Sequence, residues 1–232
     1  MTNVNRARRQ ARLSRALGLP LTPKSVKYFE KRPYPPGGAG RGPPRPAPPA
    51  SSSSPPPPPR GAPAGARRRT ESDYAVRLKE KQRLRAQYGI REKQMHGAYL
   101  DAKKEPGLTG ESMVELLEMR LDALVLRAGF ARTTLQARQA VVHRHVLVDG
   151  KPVDRPSYRV KPGQTIQIKP KSQAMEPFQI AAEGGNSDVL AAVPSYLSVE
   201  LSDLKAQLVS RPKRAEVPVT VDVQMVVEYY AR

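Results

Sequence analysis

Fourteen of the chain's 25 prolines fall between Pro33 and Pro63. Proline donates no backbone hydrogen bond and its ring fixes φ, so a segment this rich in it builds neither helix interior nor central strand. Pro55 to Pro59 are consecutive, come directly after Ser51 to Ser54, and have nothing apolar around them to bury. The stretch therefore reads as a disordered or polyproline-II-like insertion. A chain of 232 residues so interrupted is not one continuous globule. A sizeable core is possible only outside the proline-rich part. A spacer is the simplest role for the prolines, and docking in an aromatic groove of another protein is the alternative.

Charge is distributed as unevenly as proline. The formal net charge is +19. Residues 1–100 hold 22 Lys and Arg against 5 Asp and Glu, whereas residues 101–232 hold 18 against 16. A surface of this sign attracts polyanions, and nucleic acid is the usual partner. In residues 1–32, Arg6, Arg8, Arg9, Arg12 and Arg15 crowd together, and mutual repulsion predicts an arm that stays extended or mobile until a polyanion neutralises it. There is no cysteine, which excludes disulfides and thiolate metal sites and fits a reducing cytoplasm. No apolar run approaches the ~18 residues of a membrane span, and the stretch Leu17 to Leu21 is too short for a signal-peptide core. The expectations are a cytoplasmic protein without membrane contact, cofactor or small-molecule substrate.

From Ser72 onward the pattern is helical. Tyr74, Leu78, Lys81, Leu84, Arg85 and Tyr88 recur at helical spacing up to Gly89, giving an amphipathic basic helix. A second helix is predicted from Glu92 to Lys104, stopped by Pro106 and Gly107. A third runs from about Gly110, with Met113, Leu116, Leu117, Leu121, Leu124, Val125 and Ala128 as one stripe and Gly129 at its C-cap. A fourth starts at Thr133, which with Gln136 has the spacing of a capping box, and continues to about His143. Strand signals come next in Val146, Val148, Val153, Tyr158, Val160 and Thr165 to Ile168, with Asp149-Gly150 suited to a tight hairpin. Pro177, Gly184 and Gly185 mark loops, and Leu197 to Leu208 reads as either helix or strand. Asp222 can cap a last helix bearing Val223, Val226, Val227 and Tyr230, whose stripe is most simply covered by the helices of residues 72–104. The fold class is α+β: a helical domain made by N-terminal helices and the C-terminal helix, with an inserted module of two helices and a small antiparallel sheet.

Function concentrates at the turn between the third and fourth helices. Arg120, Arg127, Arg132, Arg138 and Arg144 lie within 25 positions with Asp122 as the sole opposing charge. A helix start presents free amides and partial positive charge, and Arg132 stands directly before one. Guanidinium groups add bidentate phosphate contacts. His143 and His145 are accompanied by no carboxylate cluster and no thiol, so structure or RNA hydrogen bonding explains them better than acid–base or metal chemistry.

On these residues the segment Arg120 to Gly150 resembles the RNA-binding module of the small-subunit ribosomal protein four family. Tyr28-Phe29-Glu30-Lys31-Arg32-Pro33-Tyr34-Pro35-Pro36-Gly37 is similar to that family's N-terminal signature, and Val226-Val227-Glu228-Tyr229-Tyr230-Ala231-Arg232 to its ending. Glu80 to Arg85 and Glu92 to Met95 agree as well. The resemblance implies a structural constituent of the small ribosomal subunit, a primary binder of small-subunit rRNA that nucleates assembly of the subunit body. It further implies contact with small-subunit protein five at an interface linked to translational accuracy, and a place near the mouth of the messenger-RNA channel. The carry-over is strongest for Arg127, Arg132, Arg138, His143 and His145. Basic and polar residues around them complete the expected RNA-binding set: Arg6, Arg8, Arg9, Arg12, Lys31, Arg32, Arg83, Arg85, Arg120, Thr133, Gln136, Arg144 and Lys151.

The resulting domain limits are a basic arm over 1–32, the proline-rich insertion over 33–70, a helical domain from 71–110 with 172–232, and the RNA-binding module over 111–171. Three features depart from the family pattern. A four-cysteine zinc site common in the family has no ligands here, the insertion interrupts a normally short basic connection, and Arg144 stands where glycine is usual. These admit a second reading, a diverged non-ribosomal paralogue acting as a general RNA-binding protein. Similar modules occur in pseudouridine synthases and tyrosyl-tRNA synthetases, but the flanks here show no catalytic-domain pattern or phosphate loop, so no enzyme is expected.

Overall fold

The arginine-crowded N-terminus is helical, against the expectation of an extended arm. In the computed structural model, which describes residues 3–31, 35–36, 72–187 and 192–231, α1 spans Asn3–Leu17 and α2 spans Pro23–Lys31. Alanine, arginine, leucine and glutamine are strong helix formers, and the pair is tied to the body. Ser14 and Leu17 are buried. The Ser14 carbonyl and hydroxyl accept from the amides of Leu19 and Leu21 at 3.0 and 3.2 Å, turning the chain between the two helices. Arg32 and, apart from residues 35–36, the insertion lie outside the described residues.

α3 (Asp73–Gln87) is capped by Ser72, whose hydroxyl accepts from the Ala75 amide, and α4 (Glu92–Ala102) starts after Gly89. α5 (Thr109–Glu118) and α6 (Leu121–Arg127) correspond to the single helix expected from the Met113-to-Ala128 stripe. The break at Met119 and Arg120 arises because that dipeptide pairs sideways with the strand-like segment around Arg159. Leu121 N–H donates to the Tyr158 carbonyl at 2.8 Å and Val160 N–H to the Met119 carbonyl at 2.9 Å. Tertiary hydrogen bonds here outweigh an uninterrupted apolar period. Gly129 adopts φ +81° at the end of α6, as its position demanded. α7 (Thr134–Val142) then leads into the sheet.

The sheet is larger than expected. β1 (Val146–Val148) and β2 (Lys151–Pro152) form the hairpin, with Asp149 and Gly150 at φ 48° and 78°, the geometry of a type I′ turn. β3 (Thr165–Ile168) pairs antiparallel with β1, so that Val146 faces Ile168 and Val148 faces Ile166. The ambiguous stretch from Leu197 to Leu208 is extended: β4 (Leu197–Glu200) and β5 (Lys205–Leu208) complete a five-stranded sheet in the order β2-β1-β3-β5-β4. Two strands from the 172–232 segment thus join the sheet begun by β1 to β3. Between β3 and β4 lie α8 (Pro170–Gln173) and α9 (Glu176–Ala182), where Pro177 occupies a first helical turn rather than a loop.

α10 (Val223–Tyr230), capped by the Asp222 carboxylate, returns to pack on α3, α5 and α4. One buried cluster runs through both halves, from Leu84 and Met95 through Leu117, Leu121 and Phe130 to Ile166, Leu208 and Val226. The inserted module is consequently fixed rigidly to the helical body.

Candidate RNA-binding surface

The start of α7 is held by two side chains. Thr133, extended at φ −142°, accepts from the Gln136 amide at 3.2 Å, and the Gln136 side-chain oxygen accepts from the Arg132 amide at 2.9 Å. In a reciprocal box that oxygen would bind the cap residue itself. Here it reaches one residue further back, which pins the Arg132 backbone while its side chain stays exposed. Arg138, one turn on, is partly exposed and lies 3.8 Å from the Asp122 carboxylate.

Two arginines expected to face RNA turn inward. Arg120 and Asp122 form a buried bidentate pair at 3.0 and 2.7 Å, so the local ion pair is real and the guanidinium is consumed by it. Arg127 donates to the fully buried Glu118 carboxylate at 2.8 Å, and the Tyr88 and Tyr196 hydroxyls donate to the same carboxylate at 2.8 and 3.2 Å. Burial works against the charged guanidinium, but the Glu118 carboxylate outweighs it and holds the Arg127 pKa above its ordinary value. Both tyrosines are raised, first by burial and then by Glu118. The four groups lock α3, α5, α6 and the segment before β4 together. Arg83 is likewise engaged, donating to the Leu17 carbonyl at 2.8 Å and pairing with Glu80, and Arg85 lies 3.9 Å from Glu92.

At the other end of α7 the chain turns sharply. Arg144 has φ +60°, the left-handed angle for which glycine is the usual residue, and its exposed guanidinium holds Asp154 at 2.8 Å. His143 is exposed. His145 lies between: its Nδ1 is 2.9 Å from the Ser172 hydroxyl, and its ring stands edge-on to Phe178. Burial, then His143, then Lys169 push its pKa down. Lys169 was not anticipated. Its amide donates to the His145 carbonyl at 2.8 Å, which brings an exposed lysine beside the two histidines. The β1–β3 register, which pairs Val146 with Ile168, is the signal that would have found it. Lys151 is exposed at the hairpin.

On the N-terminal helices, Arg8, Arg9 and Arg12 of α1 and Lys31 of α2 are exposed, and Arg6 belongs to α1. The segment from Pro20 to Val26 meets the start of α7 across a cleft of about 360 Å³, whose walls include Pro20, Val26, Leu126, Arg132 and Thr133. At the far end of α3 lies a separate hollow of about 370 Å³, lined by Tyr74, Arg77, His96, Tyr229 and Tyr230. The described residues contain no group of acidic or histidine side chains arranged to hold a metal ion, and none of their helices is long and apolar enough to cross a membrane.

Exposed cations at a capped helix start and a tight turn, carried on a module of helices and sheet, form a surface suited to RNA. Comparison with known proteins agrees. Residues 119–166 match the S4 domain, and residues 59–118 match the ribosomal protein S4/S9 N-terminal domain. The small ribosomal subunit protein uS4 of Beutenbergia cavernae is 68% identical over 232 residues, covering 100% of both chains. That of Bifidobacterium adolescentis is 62% identical over the same length, and that of Clavibacter michiganensis 59% identical over 231 residues, covering 99% of the relative. The chain belongs to the small ribosomal subunit protein uS4 family, and is a ribosomal, RNA-binding protein. Such identity along the whole length goes against the diverged paralogue.

Proposed function

We propose that the protein is a structural constituent of the small subunit in the cytoplasmic ribosome, a primary binder of small-subunit rRNA that nucleates assembly of the subunit body. The observation that carries this reading is the pinned helix start, where Arg132 is exposed on a backbone fixed by Thr133 and Gln136. Shape and phosphate recognition require cations at defined positions, and this surface supplies them. Arg132, Thr133, Gln136, Arg138, His143, Arg144, His145 and Lys151, with Arg6, Arg8, Arg9, Arg12, Lys31 and Arg32 of the N-terminus, form the proposed RNA contacts. Arg120, Arg127, Arg83 and Arg85 act behind them by holding the surface in shape. The role is one of architecture rather than catalysis.

Protein five and messenger RNA complete the reading. The hollow at Tyr74, Tyr229 and Tyr230 suits a protein neighbour, because exposed aromatic rings are enriched at protein interfaces. Tyr74 is exposed there and stands 5.7 Å from the half-buried Tyr229. We assign this patch to protein five and, through it, to translational accuracy. Messenger RNA passing the channel mouth is the remaining contact.

The test measures affinity for a small-subunit rRNA transcript. Arg132→Ala should weaken binding by about tenfold, the value of one charge-assisted contact, with an unchanged melting temperature. Equal affinity of variant and parent, or equal affinity of the parent for random duplex, refutes the reading.

A further inference from the structure

We infer that α2 carries a stacking site for an unpaired rRNA nucleotide, built from Tyr28 and three lysines. At about 100° per residue, Lys24, Lys27, Tyr28 and Lys31 fall on one arc of the helix, roughly 100° wide. All four are exposed, and Tyr28 keeps 60% of its surface in the open. The adjoining arc is the anchored one, where Ser25 is buried and Phe29 half-buried. Ser25 fixes the start of the helix, its hydroxyl accepting from the Thr22 amide at 2.9 Å and donating to the Thr22 carbonyl at 2.6 Å. Glu30, the one acid of α2, lies outside the lysine arc. None of the three lysines has an ion-pair partner among the described residues.

The ligand class comes from that chemistry. A phenol ring held open between uncompensated ammonium groups offers a π face for a base and cations for the phosphates on either side of it. Single-stranded nucleic acid is bound by this combination, whereas paired bases in a helix present no free face. Val26, which lines the cleft that also holds Arg132 and Thr133, lies about 160° round α2 from Tyr28, so the ring is a contact separate from the Arg132 site. The inference rests on the rRNA-binding reading and adds a nucleotide-level contact to it.

The experiment titrates the full chain with a small-subunit rRNA transcript at several salt concentrations, using Tyr28→Ala, Tyr28→Phe, a triple variant with Lys24, Lys27 and Lys31 changed to Gln, and Arg132→Ala. Loss of one stacked base weakens affinity by about 5- to 100-fold, expected for Tyr28→Ala, while Tyr28→Phe keeps the ring and should stay within about twofold of the parent. The triple variant should flatten the slope of log affinity against log salt by about 2, three contacts at roughly 0.7 each for a single strand. Parent-like affinity of Tyr28→Ala overturns the site, as does an unchanged salt slope in the triple variant or an equal loss in Tyr28→Phe. If Arg132→Ala still loses affinity in that case, the stacking site alone falls. If the parent itself fails to bind, the rRNA reading falls with it.

Discussion

Replacing Arg127 with Met separates the two roles an arginine beside an RNA-binding turn can have. In the parent, the Glu118 carboxylate is fully buried and takes hydrogen bonds from Arg127, Tyr88 and Tyr196. Without the guanidinium, a charge remains among two phenol groups and apolar side chains. Breaking one partner out of a buried pair costs about 3–5 kcal/mol. Because the Arg127 side chain is 16% exposed, water offsets part of this, and about 3 kcal/mol is the expected loss. With a urea dependence of about 2 kcal/mol per molar, the unfolding midpoint should fall by about 1.5 M. The double variant with Glu118→Gln removes the stranded charge and should recover part of that loss. At low urea, where both proteins are folded, rRNA affinity should match the parent. A variant that unfolds at the parent's midpoint but binds rRNA poorly would show that Arg127 faces the ligand, and would refute its assignment to the core.

Leu121 is fully buried at the start of α6, so Leu121→Ala should lower stability by about 2–5 kcal/mol in urea titration. Arg144→Gly relieves a left-handed angle worth roughly 1 kcal/mol and removes an exposed ion pair worth less than about 1 kcal/mol. Its melting temperature should stay near the parent's while rRNA affinity falls. For His145, the folded pKa is lowered below the ordinary histidine value by burial, His143 and Lys169. The native state therefore favours the neutral ring, so this contribution to stability is complete above the ordinary value of about 6.5 and is lost as pH falls through it toward the lowered value. The melting temperature of the free protein should drop on acidification, and His145→Asn should flatten that part of the profile.

What the sequence disclosed was local. Capping residues and turn pairs were readable because their geometry depends on a few neighbours: Ser72, Thr133 and Asp222 cap helices, and Asp149-Gly150 closes the hairpin. The stripe on α10 found its place because a short apolar helix needs a cover, and α3 provides it. Features set by distant partners were hidden. The split between α5 and α6 depends on pairing with residues near Arg159, and the extension of the sheet on β5 meeting β3. Repulsion among the N-terminal arginines was overrated, because docking of Ser14 and Leu17 supplies what charge alone does not reveal. In the site, a count of arginines did not distinguish Arg132 from Arg120 and Arg127. That difference is one of burial: Arg120 is buried against Asp122 and Arg127 packs inward on the buried Glu118, whereas Arg132 is exposed.

The return of α10 to α3 gives the order of synthesis a consequence. Leu84 and Met95 emerge from a translating ribosome long before Val226, which is fully buried against their layer. A nascent chain that has not yet made α10 would present an open apolar seam on α3 to chaperones and proteases. The apolar layer between α3 and α10 is therefore closed only after the whole of the inserted module has been made.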